Sequence, residues 1–280
     1  MNGAGVQVHS ELGVESRAPG QNALETVALS KAFGGVKAVD SVSLVVREHA
    51  ISALIGPNGA GKTTLFNIVT GRARADSGHV RLFGRDITGL PVSAIARLGI
   101  ARSFQDLRLF GTLTALENVN VYALGPAPAS IAWSIGQPWR QVRADRKARQ
   151  RSLEVLSSLG IDELRDTPAK GLTFAQQKLV ALARLLVTEP KVVLLDEPAS
   201  GLDERERDEL MAVVRTLGEQ GRTVCFVEHN IDVVRGIADW VYFLAEGRLV
   251  REGPPEEIFR SAELAEVYFG VERAANWETA

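Results

Sequence analysis

Residues 56–64 read GPNGAGKTT, and the reading of the whole chain turns on them. They follow an apolar run, AISALI at 50–55, and lead into LFNIV at 65–69. That order reads strand, glycine-rich loop, helix. The loop satisfies every fixed position of the phosphate-binding pattern G-x-x-x-x-G-K-[ST]. Gly56, Gly59 and Gly61 let the backbone take conformations that a side chain blocks, so that successive N–H groups turn inward onto phosphate oxygens. Pro57, Asn58 and Ala60 complete the loop. A helix starting near Lys62 adds unpaired N–H groups and the positive end of its dipole. Lys62 brings a full charge to the β- and γ-phosphates, Thr63 offers a hydroxyl to Mg2+, and Thr64 follows it into the helix. A glycine turn that merely caps a helix is the alternative, and the flanking strand and helix argue against it.

Composition sets outer bounds. A chain of 280 residues, 45% apolar and 24% charged, suits one large globular domain or one domain with a subdomain. A net charge of −2 gives a nucleic-acid partner no support. The single cysteine, Cys225, lies in the apolar run TVCFV and reads as a buried strand residue, so no disulfide forms within the chain. No apolar stretch approaches the ~18–20 residues that span a bilayer. Residues 1–23 lack a continuous apolar segment and read as a flexible tail, not a signal peptide. The cytoplasm is the expected compartment.

Along the chain, a strand is expected over residues 24–29, and Gly34-Gly35 marks a turn between two strand-like runs. Phe33, just before that turn, reads on its own as a core aromatic. A strand is expected at 79–83, a turn at 84–86, a short helix opened by Pro91 through Arg97, and a strand at 100–104 ending at Gln105. Thr114 with Glu117 three residues on makes a capping box. Residues 125–139, rich in Pro, Gly and Trp, read as an irregular excursion. The basic run RQVRADRKARQR at 140–151 leads into a long helix, whose charged face is either solvated or close to anionic lipid headgroups. An apolar stripe at helical spacing starts near Thr173 and stops at Glu189-Pro190. VVLL at 192–195 fits a central parallel strand buried on both faces. A helix follows at 204–219, a strand at 223–227 ending at Glu228-His229, two short strands near 240–244 and 248–251, and helices to about residue 269. Strands alternating with helices give an α/β fold with a mainly parallel sheet, and the early strands suggest an antiparallel side sheet.

A phosphate loop alone says only nucleotide. Asp196, at the end of an apolar strand, stands where phosphate-loop NTPases hold Mg2+ from the side opposite the loop's Thr. Glu197, next to it, faces the crevice where ligands bind in open α/β sheets, and a carboxylate there can deprotonate an attacking water. A solvated turn is the alternative for any isolated Asp-Glu pair.

The ordered set Phe33, GPNGAGKT, Gln105, LTFAQQ, VVLLDEP, SGLD and His229 resembles the ATP-binding subunit of ABC transporters over about residues 24–270. The resemblance implies a phosphate-loop NTPase domain over 24–271 with a helical subdomain at about 106–187, and a C-terminal tail at 272–280. It implies ATP and Mg2+ as cofactors. It makes Phe33 the aromatic that stacks on adenine, and Gln105 the residue that senses Mg2+ and the attacking water and couples to the membrane subunit. Residues 172–176 match the signature that closes over the partner subunit's γ-phosphate, with Thr173, Ala175 and Gln176 among its contacts. Asp203 matches a residue that crosses the dimer, and His229 the switch histidine beside the γ-phosphate. One departure stands out: the family's signature usually has glycine where this chain has Ala175, which would cost on the order of 1 kcal/mol if a left-handed φ is required there. Thr173 in place of serine keeps the hydroxyl.

A narrower resemblance lies in LSKAFGGVKAVDSVSL, GLPVSAIARLGIARSFQDLRLF and AEVYFG, which are similar to the larger ATPase of branched-chain amino acid importers. It implies ATP hydrolysis at the cytoplasmic face of the bacterial inner membrane as a peripheral subunit. The partners it implies are a second ABC ATPase, in a heterodimer or a homodimer, two transmembrane permeases and, indirectly, a periplasmic solute-binding protein. Amides, urea and other amino acids stay open as solutes. An exporter ATPase of the lipopolysaccharide type, a soluble non-transport ABC protein and a regulatory module that holds ATP without hydrolysing it are the other readings.

Overall fold

In the computed structural model residues 22–103, 107–124 and 138–260 are described, the side chains of the last segment from residue 142 onward. The chain opens with two long strands, β1 (Asn22–Phe33) and β2 (Val36–Arg47), joined at Gly34-Gly35 and paired antiparallel from Phe33↔Val36 outward. β3 (Ile51–Ile55) then enters the core and ends at the glycine loop, from which α1 (Lys62–Val69) emerges. β4 (Ser77–Leu82) and β5 (Arg85–Asp86) close a four-stranded sheet of order β2-β1-β4-β5, all its pairs antiparallel. After α2 (Val92–Leu98), β6 (Ile100–Arg102) joins the second sheet.

Helices α3 (Ala115–Ala123), α4 (Pro138–Ser158) and α5 (Phe174–Leu186) pack on one another. The expected capping box forms at Thr114 and Glu117. Asn118, fully buried, accepts from the Phe110 N–H and donates to the carbonyls of Phe110, Leu113 and Thr114, pinning the preceding loop to α3. β7 (Val192–Asp196), α6 (Glu204–Glu219), β8 (Thr223–Val227), α7 (Ile231–Ile237), β9 (Trp240–Ala245), β10 (Arg248–Gly253) and α8 (Pro255–Ile258) complete the described chain.

The second sheet has the order β10-β9-β3-β8-β7-β6, parallel except for the β9–β10 hairpin. β3, β7 and β8 are buried at every residue. Their side chains alternate between two cores, as a period of two requires. Val193, Leu195, Val224 and Phe226 face the helices, whereas Val192, Leu194, Cys225 and Val227 face α1 and the antiparallel sheet. Burial pushes the Cys225 thiol up to about 12. A continuous apolar run in the sequence is the signature of such a two-faced strand.

Several boundaries differ from the sequence reading. β1 begins at Asn22, inside the stretch assigned to the tail, because Ala23 is fully buried and its carbonyl accepts from Phe83 N–H. The turn expected at 84–86 falls at Phe83-Gly84, and Arg85–Asp86 pair back onto Arg81 and Leu82. Pro91 is extended and precedes α2 instead of opening it. Of the strand expected over 100–104, β6 covers Ile100–Arg102, Ser103 N–H still donates to the Leu194 carbonyl (2.9 Å), and Phe104 lies outside the described residues. Of the irregular excursion expected over 125–139, Pro138 and Trp139 instead open α4 and residues 125–137 lie outside the described residues, as do residues 261–269 of the last helices, of which α8 is described. Among the described residues no helix is long and apolar enough to cross a membrane.

Candidate nucleotide site

β3 delivers the chain to Gly56, and the loop that follows has φ of 146° at Gly56, 81° at Gly59 and 98° at Gly61. A β-carbon at Gly56 would stand 2.0 Å from the Leu244 carbonyl oxygen, and one at Gly61 would stand 2.1 Å from that of Ala38. Only glycine fits both positions. The turn between β9 and β10 clamps the loop from outside. Gly247 N–H donates to the Ala60 carbonyl (3.1 Å), and Asp40 N–H donates to Gly247 (2.7 Å), so side sheet, loop and hairpin are tied at one point. No side chain caps the start of α1, which leaves its first-turn N–H groups for an anion. Asn58, Gly59 and Thr63 are exposed, Pro57 and Thr64 half-buried, and Ala60 buried.

The buried Lys62 ammonium donates to the carbonyls of Gly56 (2.7 Å) and Pro57 (2.9 Å). Burial lowers its pKa, and the charges of Glu197 and Asp196 push it back up. The loop's cation and the carboxylates of Asp196 and Glu197 thus lie close enough to interact through their charges.

Asp196 is held on three sides. Its N–H donates to Ser103 Oγ (2.9 Å), its Oδ2 accepts from Arg102 Nη2 (2.6 Å), and its strand is paired on both edges. Its Oδ1 is buried and has no partner among the described residues. Glu197 sits at φ +48°, left-handed for a residue with a β-carbon, while its N–H donates to the Val227 carbonyl (3.0 Å). That conformation costs roughly 1–2 kcal/mol, and strain of this kind concentrates at functional sites. The turn carries the Glu197 carboxylate to His229, with Oε1 at 3.0 Å from Nε2. Asn230, not His229, caps α7.

Two residues beyond the sequence reading hold this wall in place. Glu228 is buried; its Oε1 accepts from Ala199 N–H and its Oε2 from His229 N–H, which ties the histidine to the segment after Glu197. Lys178 on α5 donates to the Pro198 carbonyl (2.7 Å), and burial lowers its pKa against the pull of Glu228 and Glu197. The sequence signal for Lys178 and Arg102 is a charged residue inside an otherwise apolar element, and for Glu228 an acid directly after an apolar strand.

The remaining sites are more dispersed. Phe33 ends β1 at 53% exposure with the Lys31 ammonium 5.3 Å from its ring centre, so it is not a core aromatic. Thr173 and Gln176 cap α5 reciprocally, Thr173 Oγ accepting from Gln176 N–H and Gln176 Oε1 from Thr173 N–H. Ala175 lies in the first turn of that helix and is not among the positive-φ residues, which corrects the expectation of strain there: a right-handed helical backbone accepts alanine freely. Asp203 is exposed and caps α6, accepting from Glu206 N–H. Gln105 lies outside the described residues.

The donor set suits Mg2+. That ion takes hard oxygens, uses one or two carboxylates and leaves the rest to phosphate and water. Asp196 offers an orphaned buried oxygen and Thr63 an exposed hydroxyl, and among the described residues no group of three or more His, Cys, Asp or Glu side chains makes an all-protein cage.

A glycine loop on the end of one parallel strand, facing an Asp-Glu pair on the end of another, defines a phosphate-loop nucleotide-binding protein with an added antiparallel sheet and a helical layer. Residues 39–200 match the family described as ABC transporter, and the chain belongs to that family. It is 36% identical over 248 residues to the high-affinity branched-chain amino acid transport ATP-binding protein BraF of Pseudomonas aeruginosa, covering 88% of this chain and 97% of that one. It is likewise 36% identical to the corresponding protein LivG of Salmonella typhimurium, over 89% of this chain and 98% of that one. Among solved structures, the ADP conformation of MJ1267, an ATP-binding cassette of an ABC transporter, superposes with a TM-score of 0.79 at 30% identity, over 89% of this chain and 99% of that one. The dimeric structure of the bacterial cassette MJ0796 gives 0.68 at 26% identity, over 83% of this chain and 98% of that one.

Proposed function

We propose that this chain hydrolyses Mg2+-ATP as the peripheral ATPase of an importer for branched-chain or related amino acids. The observation that carries hydrolysis is the Glu197–His229 contact of 3.0 Å beside Asp196, across from Lys62. In this reading the loop N–H groups and Lys62 bind and orient the phosphates, and Phe33 stacks on the base. Glu197 takes the proton of the attacking water onto its carboxylate, and His229 holds that carboxylate toward the γ-phosphate. Asp196 and Thr63 would hold Mg2+, which when bound supplies Lewis-acid neutralisation of the β- and γ-phosphates.

The solute rests on the names of BraF and LivG, both matched over nearly their whole length. The dimeric cassette supports a two-ATPase sandwich, in which residues 173–176 and Asp203 reach the partner's nucleotide. Two transmembrane permeases and, indirectly, a periplasmic binding protein complete the assembly, with this chain at the cytoplasmic face of the membrane.

Glu197→Gln tests the chemistry: turnover should fall about 10²–10⁴-fold while ATP binding persists, and ATP-bound dimer should accumulate in sedimentation. Hydrolysis at the parent rate would remove Glu197 as the base. Co-expression with its permeases and binding protein, followed by uptake of labelled leucine and of urea, tests the solute.

A further inference from the structure

We propose that Arg102 is a positioning residue that sets the geometry of the metal seat, a proposal that rests on the reading of Asp196 and Thr63 as Mg2+ ligands. Arg102 ends β6, wedged between β7 and α1. Its Nη2 donates to Asp196 Oδ2 at 2.6 Å, and its Nη1 donates to Asn67 Oδ1 at 2.7 Å and to Thr70 Oγ at 3.4 Å. The guanidinium also lies 5.4 Å from the centre of the Phe66 ring. The side chains of the pair are only 7% and 3% exposed.

Asn67 and Thr70 stand four and seven residues beyond Thr63, on the same face of the α1 turn. One planar group therefore bridges the helix that begins with Thr63 to the strand that ends with Asp196. It is a direct side-chain link between the two elements whose separation a metal bound by both must match. The pairing is also one-sided. Oδ2 is committed to the guanidinium, while Oδ1 is buried without a partner among the described residues. Arg102 occupies Oδ2 and so leaves Oδ1 as the oxygen open to a ligand in front of it. A lysine can replace the charge but not the fork, since a point charge does not span Asp196 and Asn67 together.

The test uses the full chain with a nonhydrolysable ATP analogue and Mn2+ as a spin-visible stand-in for Mg2+, alongside analogue affinity in EDTA. Outer partners of metal ligands contribute about 10- to 100-fold in metal affinity. Arg102→Met should raise the Mn2+ half-saturation by about that factor and leave affinity in EDTA at the parent value. Arg102→Lys should recover only part of the loss, and Asn67→Ala, which cuts one arm and keeps the ion pair, should show a smaller shift in the same direction. Parent-like Mn2+ binding in these variants overturns the proposal, as does an equal loss with and without metal, full recovery by lysine, or tighter metal binding from a removed competitor. If Arg102→Met does not fold, Asn67→Ala and Arg102→Lys decide. Asp196→Asn separates the two layers: if it leaves Mn2+ dependence intact, the metal-seat reading fails. If it abolishes that dependence while the Arg102 variants keep it, only the role of Arg102 fails.

Discussion

Lys62→Met isolates the loop's charge from its shape. Methionine keeps most of the stem length and removes the ammonium. Without nucleotide, two effects oppose each other. The ammonium is buried and its desolvation is unfavourable, yet it donates to Gly56 and Pro57 and faces Asp196 and Glu197. Folding stability should therefore move little, with urea midpoints close to the parent. Binding has no such offset, because phosphate oxygens lose a charged donor. A hydrogen bond to a charged group contributes roughly 1.5–3 kcal/mol, which is a rise in Kd of about ten- to a hundredfold. Isothermal titration with ATP in parallel with urea unfolding reads both quantities on one preparation. An unchanged Kd would refute the assignment of 56–64 as the phosphate loop, and a large loss of stability with proportionate loss of binding would make Lys62 a structural residue only.

Phe33→Ala should weaken ATP and GTP binding alike by about 0.5–1.5 kcal/mol without lowering Tm, since the ring is half-exposed; a drop in Tm with unchanged nucleotide affinity would return Phe33 to a packing role. Ala175→Gly should lower stability by up to about 1 kcal/mol, because glycine weakens the first turn of α5, and a raised urea midpoint would overturn the right-handed assignment at 175. Thr88 and then His79 hydrogen-bond Asp86 and lower its pKa to about 2 from 3.8. This depressed group stabilises the fold above pH 3.8 and loses that contribution as pH falls through about 2. Its carboxyl NMR titration should show the low midpoint, and Thr88→Val should raise it; a midpoint near 3.8 in the parent would contradict the geometry.

The legible parts of the site were those written in local pattern. Residues 56–64 carry their own backbone requirements, VVLL needs burial on two faces, Thr114 announces a helix start three residues ahead of Glu117, and the apolar stripe from Thr173 marks another helix. Arg102 was illegible because its meaning lies in a carboxylate 94 residues away and in two side chains of α1, and nothing in IARSF points to either. Glu228 failed for the same reason: an acid at a strand end reads as solvated until the Ala199 N–H it accepts from is seen. At Ala175 the strain that a left-handed φ would bring does not arise, because the structure keeps the residue helical, and a local pattern of five residues does not show that backbone.

Cys225 has a practical consequence for anyone who wants to watch this molecule move. It is the chain's single thiol, it lies in the middle of β8 at 4% exposure, and burial pushes its pKa up to about 12. Thiolate, not thiol, reacts with maleimides, so the folded chain is chemically silent toward them. A cysteine introduced on the exposed surface, at Val250 for instance, becomes the sole labelling site with no native residue to remove. Fluorophore or spin-label pairs can then report the separation of β10 from a second introduced site in an otherwise unaltered protein, and slow labelling of Cys225 itself doubles as a clock for global unfolding.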